Sequence, residues 1–202
     1  GAGLELIKTL GDDNKFNVFS SNSSDVITRE NLKNISSIIF LNTTGDILNL
    51  SEQEVIEEFI GNGKGFLGIH SATDTEYDWK WYGGLVGAYF SNHPPGTALA
   101  KINIIDNSHI ATQNFDKDWE IRDEWYNFYN INKNINVLLN LDETSYRGGE
   151  HGENHPITWF HEYSGGRSFY TGLGHLAEIY SNARFVDLLR GGILYVSGKH
   201  NY

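Results

Sequence analysis

The apolar positions of the chain fall into two alternating rhythms. Leu4, Ile7 and Leu10 stand at helical spacing with Gly11 as a stop, so Gly3 to Leu10 reads as the tail of a helix. Phe16 to Phe19 reads as a short strand, and Thr28 can cap a brief helix through Leu32. Ile38 to Leu41 is an unbroken apolar run, the pattern of a parallel strand covered on both faces. Ser51-Glu52-Gln53-Glu54 has the form of a capping box, opening a helix whose buried stripe is Val55, Ile56, Phe59 and Ile60 and which Gly61 and Gly63 end. Phe66 to Ile69 follows at once as a second buried strand, which makes a strand–helix–strand crossover. Ala98 to Ile105 alternates as a strand, and Glu124 to Phe128 and Val137 to Leu141 predict two more. Thr158 to Tyr163 and Ser168 to Thr171 flank Gly165-Gly166, a hairpin signal. The chain closes on a helix with Phe185, Val186, Leu188, Leu189, Ile193 and Val196 on its apolar face. No repeat or linker interrupts this order, so residues 1–202 are expected to form a single α/β domain.

Composition narrows the function more than the fold. A net charge of -11 repels a phosphate backbone, so nucleic acid and anionic membrane are not expected partners. No apolar run approaches the roughly 20 residues of a membrane helix. The absence of cysteine removes disulfides, thiolate metal sites and a thiol nucleophile together. It leaves the compartment open between cytoplasm and periplasm. Aromatic residues make up 13% of the chain, and tyrosine and tryptophan suit a sugar site as well as a core.

The chemistry-bearing residues cluster at expected strand ends, where open α/β sheets bind ligands. His70 follows the strand Phe66 to Ile69, and His175 closes Gly172-Leu173-Gly174-His175. Asp74, Trp79 and Trp81 lie in an acidic, aromatic segment, and His93 precedes Pro94-Pro95. Glu124 stands in Arg122-Asp123-Glu124-Trp125-Tyr126, and Asn154-His155-Pro156 follows Glu150-His151. These histidines and carboxylates permit a divalent metal ion without naming its ligands. His109, His151, His161 and His200 read as solvent-facing. Ser71 and Ser145 lack a nucleophile elbow, and Gly61-x-Gly63-x-Gly65 precedes a strand, so it is a turn and not a phosphate loop.

The string GFLGIHSATDTEYDWKWYGGLVGAYFSNHP, Gly65 to Pro94, closely resembles the trehalose-utilisation (ThuA-like) family. So do FLNTTGDIL, DEWYNF, LDETSYRGGEHGENHPITW and GRSFYTGLGH, in order along nearly the whole chain. The resemblance implies a flavodoxin-like fold of the class I glutamine amidotransferase type, a mostly parallel sheet flanked by helices with an antiparallel extension. It also implies an N-terminal strand and a histidine-containing loop ahead of the first helix, so the natural protein is expected to carry roughly 20–40 further residues there. The amidotransferases place a nucleophilic cysteine at the elbow that His70 would occupy here. With no thiol, glutamine hydrolysis is not expected.

The family's link to disaccharide catabolism, beside an oxidoreductase that makes 3-keto sugars, suggests an enzyme acting on a disaccharide or 3-keto-glycoside by elimination and hydration or by hydrolysis. A ketone acidifies the neighbouring C–H, so such chemistry needs a base near neutrality, an acid for the leaving oxygen and a group that stabilises the enolate. His70, Glu124, His175, His155 and His93 are the catalytic candidates, expected at one mouth of the sheet. Asp74, Trp79, Trp81, Tyr146 and Asn154 are the substrate-binding candidates, with Trp79, Trp81 or Tyr146 at the rim. The partner is then a small-molecule sugar, with a homo-oligomer left open. The rival reading is a non-catalytic carbohydrate-binding or scaffold domain, and a two-carboxylate glycosidase is a third. Convergence of the histidines with Glu124 separates the first reading from the second.

Overall fold

The computed structural model describes residues 1–116 and 119–199. His200, expected at the surface, lies outside them. The described chain forms five α-helices and nine strands. They are α1 (Ala2–Asp13), α2 (Arg29–Leu32), β1 (Ser37–Leu41), α3 (Leu50–Gly61), β2 (Gly65–Ile69), α4 (Lys80–Val86), β3 (Tyr89–Asn92), β4 (Ala98–Ile104), β5 (Trp119–Asp123), β6 (Asn127–Tyr129), β7 (Asn136–Asp142), β8 (His155–Tyr163), β9 (Gly166–Thr171) and α5 (Ala183–Val196). Seven strands make one sheet in the order β1-β2-β9-β8-β7-β4-β5, and β3 pairs with β6 apart from it.

This is an α/β fold on a mixed sheet. Among the described strands only β1, β2 and β9 run parallel; β9-β8, β8-β7, β7-β4 and β4-β5 are antiparallel. The expectation of a mostly parallel sheet is corrected here, because antiparallel pairings dominate. For β8 and β9 the reason is local. Ser164 and Gly165 both take positive φ (49° and 93°) between Tyr163 and Gly166. A two-residue turn of that hand can only return the chain antiparallel.

The parallel part is covered on both faces. Leu67 and Phe169 lie against Gly192 of α5, while Phe40 and Phe66 pack on Tyr82 of α4. Every residue of β2 is buried. β1 is only half-buried, contrary to the reading of Ile38 to Leu41 as covered on both faces, because it borders β2 alone. Phe16 to Phe19 forms no strand; it finds no sheet partner among the described residues, and Phe19 stays 80% exposed. The capping box of α3 lies two residues earlier than its expected place. Asn49 Oδ1 accepts the Glu52 N–H and Glu52 Oε2 accepts the Asn49 N–H. The strand expected over Glu124 to Phe128 is divided. β5 ends at Asp123, and β6 starts at Asn127.

Candidate functional site

His70 follows β2 with φ +51°, a left-handed turn that swings its ring over the sheet's carboxyl edge. Ile69 pairs with Thr171 in parallel register, so the loop after β9, Gly172 to His175, leaves at the same edge. His93 comes from the loop after β3, and Glu124 from the linker between β5 and β6. These four residues meet. Glu124 Oε2 is 3.3 Å from His70 Nε2 and 3.3 Å from His175 Nδ1, and Oε1 is 3.5 Å from His93 Nδ1. One ligand atom from each of His70, Glu124 and His175 lies within 4.8 Å of the other two.

β5 is at the far end of the sheet order from β2, yet its last residue reaches this edge. Buried Asp123 accepts the Gly174 N–H (2.7 Å) and the Leu176 N–H (3.1 Å). It thereby clamps the loop bearing His175 to the strand preceding Glu124. Burial raises the Asp123 carboxyl, against the opposing pull of those donors and of His70.

The protons of the cluster follow from its acceptors. Gly172 O is 2.8 Å from His70 Nδ1 and can only accept, so Nδ1 carries the hydrogen. Nε2 then presents a lone pair to the Glu124 carboxylate, and it has no hydrogen-bond partner among the described residues. Burial holds the His70 imidazole below its ordinary value, so its charged form does not fill the gap. A cation suits that position. Two imidazoles and one carboxylate match the donor set of a divalent metal with open positions. His93 Nδ1 lies 2.8 Å from Pro94 O, which leaves its Nε2 lone pair free on a half-exposed ring.

The Tyr126 ring packs 4.3 Å from that of His70 and 4.2 Å from that of Phe90. Burial, then the charges of Glu124, Asp74 and Asp123, push its phenol up. Asp74 accepts from Tyr77 Oη (2.5 Å) and Thr44 Oγ1 (2.6 Å), and remains half-buried.

Other candidates stand elsewhere. Fully buried His155 belongs to a second network, with Nδ1 2.7 Å from Glu143 Oε1 and Nε2 2.8 Å from Tyr126 O. Tyr146 places its hydroxyl 3.2 Å from His155 Nδ1, so it faces this network and not a rim. Asn154 is exposed on the turn before β8. Trp79 and Trp81 stack on each other; Trp79 Nε1 donates to Glu57 and Trp81 packs on Tyr163. Tyr163 pairs with Gly166 at the start of β9, the opposite end from His175, so these tryptophans do not rim the cluster. Three histidines expected at the surface are not there. His109 is buried among Phe160, Phe169 and Tyr195, His161 is buried beside Gly84 O, and half-buried His151 accepts the Phe128 N–H. Aromatic packing and backbone partners drew them inward. Asp123, Tyr126 and Glu143 were not singled out from the sequence. The first two flank Glu124 in its acidic, aromatic segment, a signal that was present.

A family profile described as trehalose utilisation matches residues 1–196. Among solved structures, a ThuA-like protein of Bacteroides uniformis superposes with a TM-score of 0.82 at 23% identity, over 96% of this chain and 82% of that one. A ThuA-like protein of Parabacteroides merdae gives 0.74 at 18%, over 100% and 86%. A beta-galactosidase of Bacillus circulans gives 0.54 at 14%, over 83% of this chain and 23% of that one. At these identities the likeness is one of fold. No curated protein matches the chain.

Proposed function

The chain belongs to the trehalose-utilisation family, and from that premise we propose that it is a sugar-catabolic enzyme. Its reaction is β-elimination from a keto-glycoside followed by hydration, with a divalent metal bound by His70, Glu124 and His175. The observation that carries this reading is the buried Nε2 of His70, which faces the Glu124 carboxylate at 3.3 Å with no hydrogen-bond partner among the described residues. The flavodoxin-like part of the reading rests on the parallel strands β1, β2 and β9. A bound metal would lower the energy of the enolate by drawing charge from its oxygen.

The side chains supply the rest. His93 Nε2 takes the proton from the carbon beside the ketone. The electron pair left behind forms a carbon–carbon double bond to the anomeric carbon and expels the glycosidic oxygen. That oxygen leaves with the proton held on His93. Water then adds to the anomeric carbon of the enone, and the α-carbon regains a proton. Asp123 keeps the His175 loop and Glu124 in register throughout. Tyr126 and Phe90 form an apolar wall beside His70 that limits water there.

The test is incubation with 3-keto-trehalose and with trehalose, each with and without a chelator. Release of glucose from the keto sugar alone, suppressed by the chelator, is expected. Equal cleavage of trehalose, or turnover of neither sugar, overturns the reading.

A further inference from the structure

We infer that Glu143 and His155 are positioning residues, an anchor behind the reactive cluster that sets where Glu124 and the Tyr126 ring stand. This rests on the reading of Glu124 as a working residue of the site.

The anchor grips the polypeptide just beyond Glu124 at successive residues. His155 Nε2 donates to Tyr126 O at 2.8 Å. Asn127 Nδ2 donates to Gly148 O (2.9 Å), and its Oδ1 accepts the Glu150 N–H (3.0 Å). The Phe128 N–H donates to His151 Nε2 (3.0 Å). Residues 126–128 are therefore tied to the loop 143–155 at each step, and the Tyr126 ring so placed lies 4.3 Å from that of His70.

Glu143 organises that loop. Its carboxylate accepts from the His151 N–H (2.7 Å), the Gly152 N–H (3.0 Å) and His155 Nδ1 (2.7 Å). The backbone closes round it so tightly that a Cβ at Gly149 would meet Glu143 Cδ at 2.3 Å. Both ring nitrogens of His155 are engaged, Nδ1 by Glu143 Oε1 and the Tyr146 hydroxyl and Nε2 by Tyr126 O. A hydrogen bond to a carboxylate is charge-assisted, shorter and stronger than a bond between neutral groups. With both nitrogens engaged and the ring fully buried, His155 reaches the chemistry through Tyr126 and Glu124.

The experiment uses the full chain and the variants Glu143→Gln, His155→Gln and Tyr146→Phe, with Glu76→Gln as a control. Glu76 is a buried carboxylate that holds the Ile47 and Leu48 amides and Gln53, away from the loop 143–155. Two readouts are taken on protein whose far-ultraviolet dichroism is unchanged. The first is the 15N signals of the His70 and His175 rings without metal. The second is affinity for cobalt(II) by its visible absorption. Expected are shifted ring signals in Glu143→Gln and His155→Gln, and cobalt binding weakened about 10–100-fold, the scale for removing outer support of a metal ligand. Tyr146→Phe removes only the hydroxyl beside Nδ1 and should move the ring signals less in the same direction. It decides the matter should the other two fail to fold. Folded variants with wild-type ring signals, or a Glu76→Gln control that moves them equally, overturn the anchor. A wild type that takes up no cobalt sinks the metal reading of the preceding section, and the ring signals alone then judge the anchor.

Discussion

His93 is the residue whose environment best separates chemistry from packing. Its ring is half-exposed and close to Glu124, and its Nδ1 is occupied by the carbonyl of Pro94. His93→Ala should lower keto-glycoside turnover by roughly a hundredfold or more, the usual scale for a lost general base, without loss of fold. Unchanged turnover in a steady-state assay would remove the base from the scheme. Glu143 makes a different prediction, about pH. Burial opposes its ionisation, but the donors of His151, His155 and Gly152 outweigh it and hold the carboxyl below its ordinary value. A depressed carboxyl contributes stability that is fully present above its unfolded value, near pH 4.3. That contribution is lost as pH falls through the lower folded value. The urea midpoint of the wild type should therefore exceed that of Glu143→Gln at pH 7 and approach it once the pH falls below that folded value. A gap independent of pH would show that the charge of Glu143 adds nothing.

The elements owe their placement to close approaches as much as to apolar stripes. β2 runs so near the end of α5 that a Cβ at Gly65 would lie 2.0 Å from Val196 O. Backbone cannot give there without moving the helix that covers Leu67 and Phe169. Gly65→Ala is expected to cost about 1–3 kcal/mol, the range for overpacking a filled interior. Chemical denaturation measures it, and a variant as stable as the parent would mean that α5 docks more loosely than its contacts imply. The same strand ends at His70, so this packing also fixes the floor of the site. At the other end of the sheet order Asp123 does comparable work. Its two N–H partners, Gly174 and Leu176, hold the antiparallel half of the sheet against the parallel half.

At the scale of the whole molecule, a site assembled from the ends of β2, β3, β5 and β9 couples ligand binding to folding. A divalent ion present at a hundred times its Kd should stabilise the native state by about 2.7 kcal/mol, since the unfolded chain cannot gather the ligands. For a chain of this size that raises Tm by roughly 5–10 °C. The shift should vanish in Glu124→Gln; an equal shift in that variant would place the ion elsewhere. The crossover of β1, α3 and β2, the hairpin of β8 and β9 and the closing helix α5 were legible in the sequence, because apolar period and turn residues are local quantities. So was the common edge of His70 and His175, since each follows a buried strand. The pairing of the remaining strands was not, because antiparallel return depends on which surfaces meet and not on the pattern within any one strand. The histidines show the same divide. His70 and His175 were readable from the strands they end, whereas the burial of His109 and His161 was decided by aromatic rings and carbonyls distant in sequence. His155 stood in the sequence beside proline as one candidate among equals. Only the fold closed Glu143 on one of its nitrogens and Tyr126 on the other, and so turned it from a reactive group into a support. Local chemistry is written in neighbouring residues; whether a polar side chain keeps a free lone pair depends on what tertiary packing brings within hydrogen-bond reach.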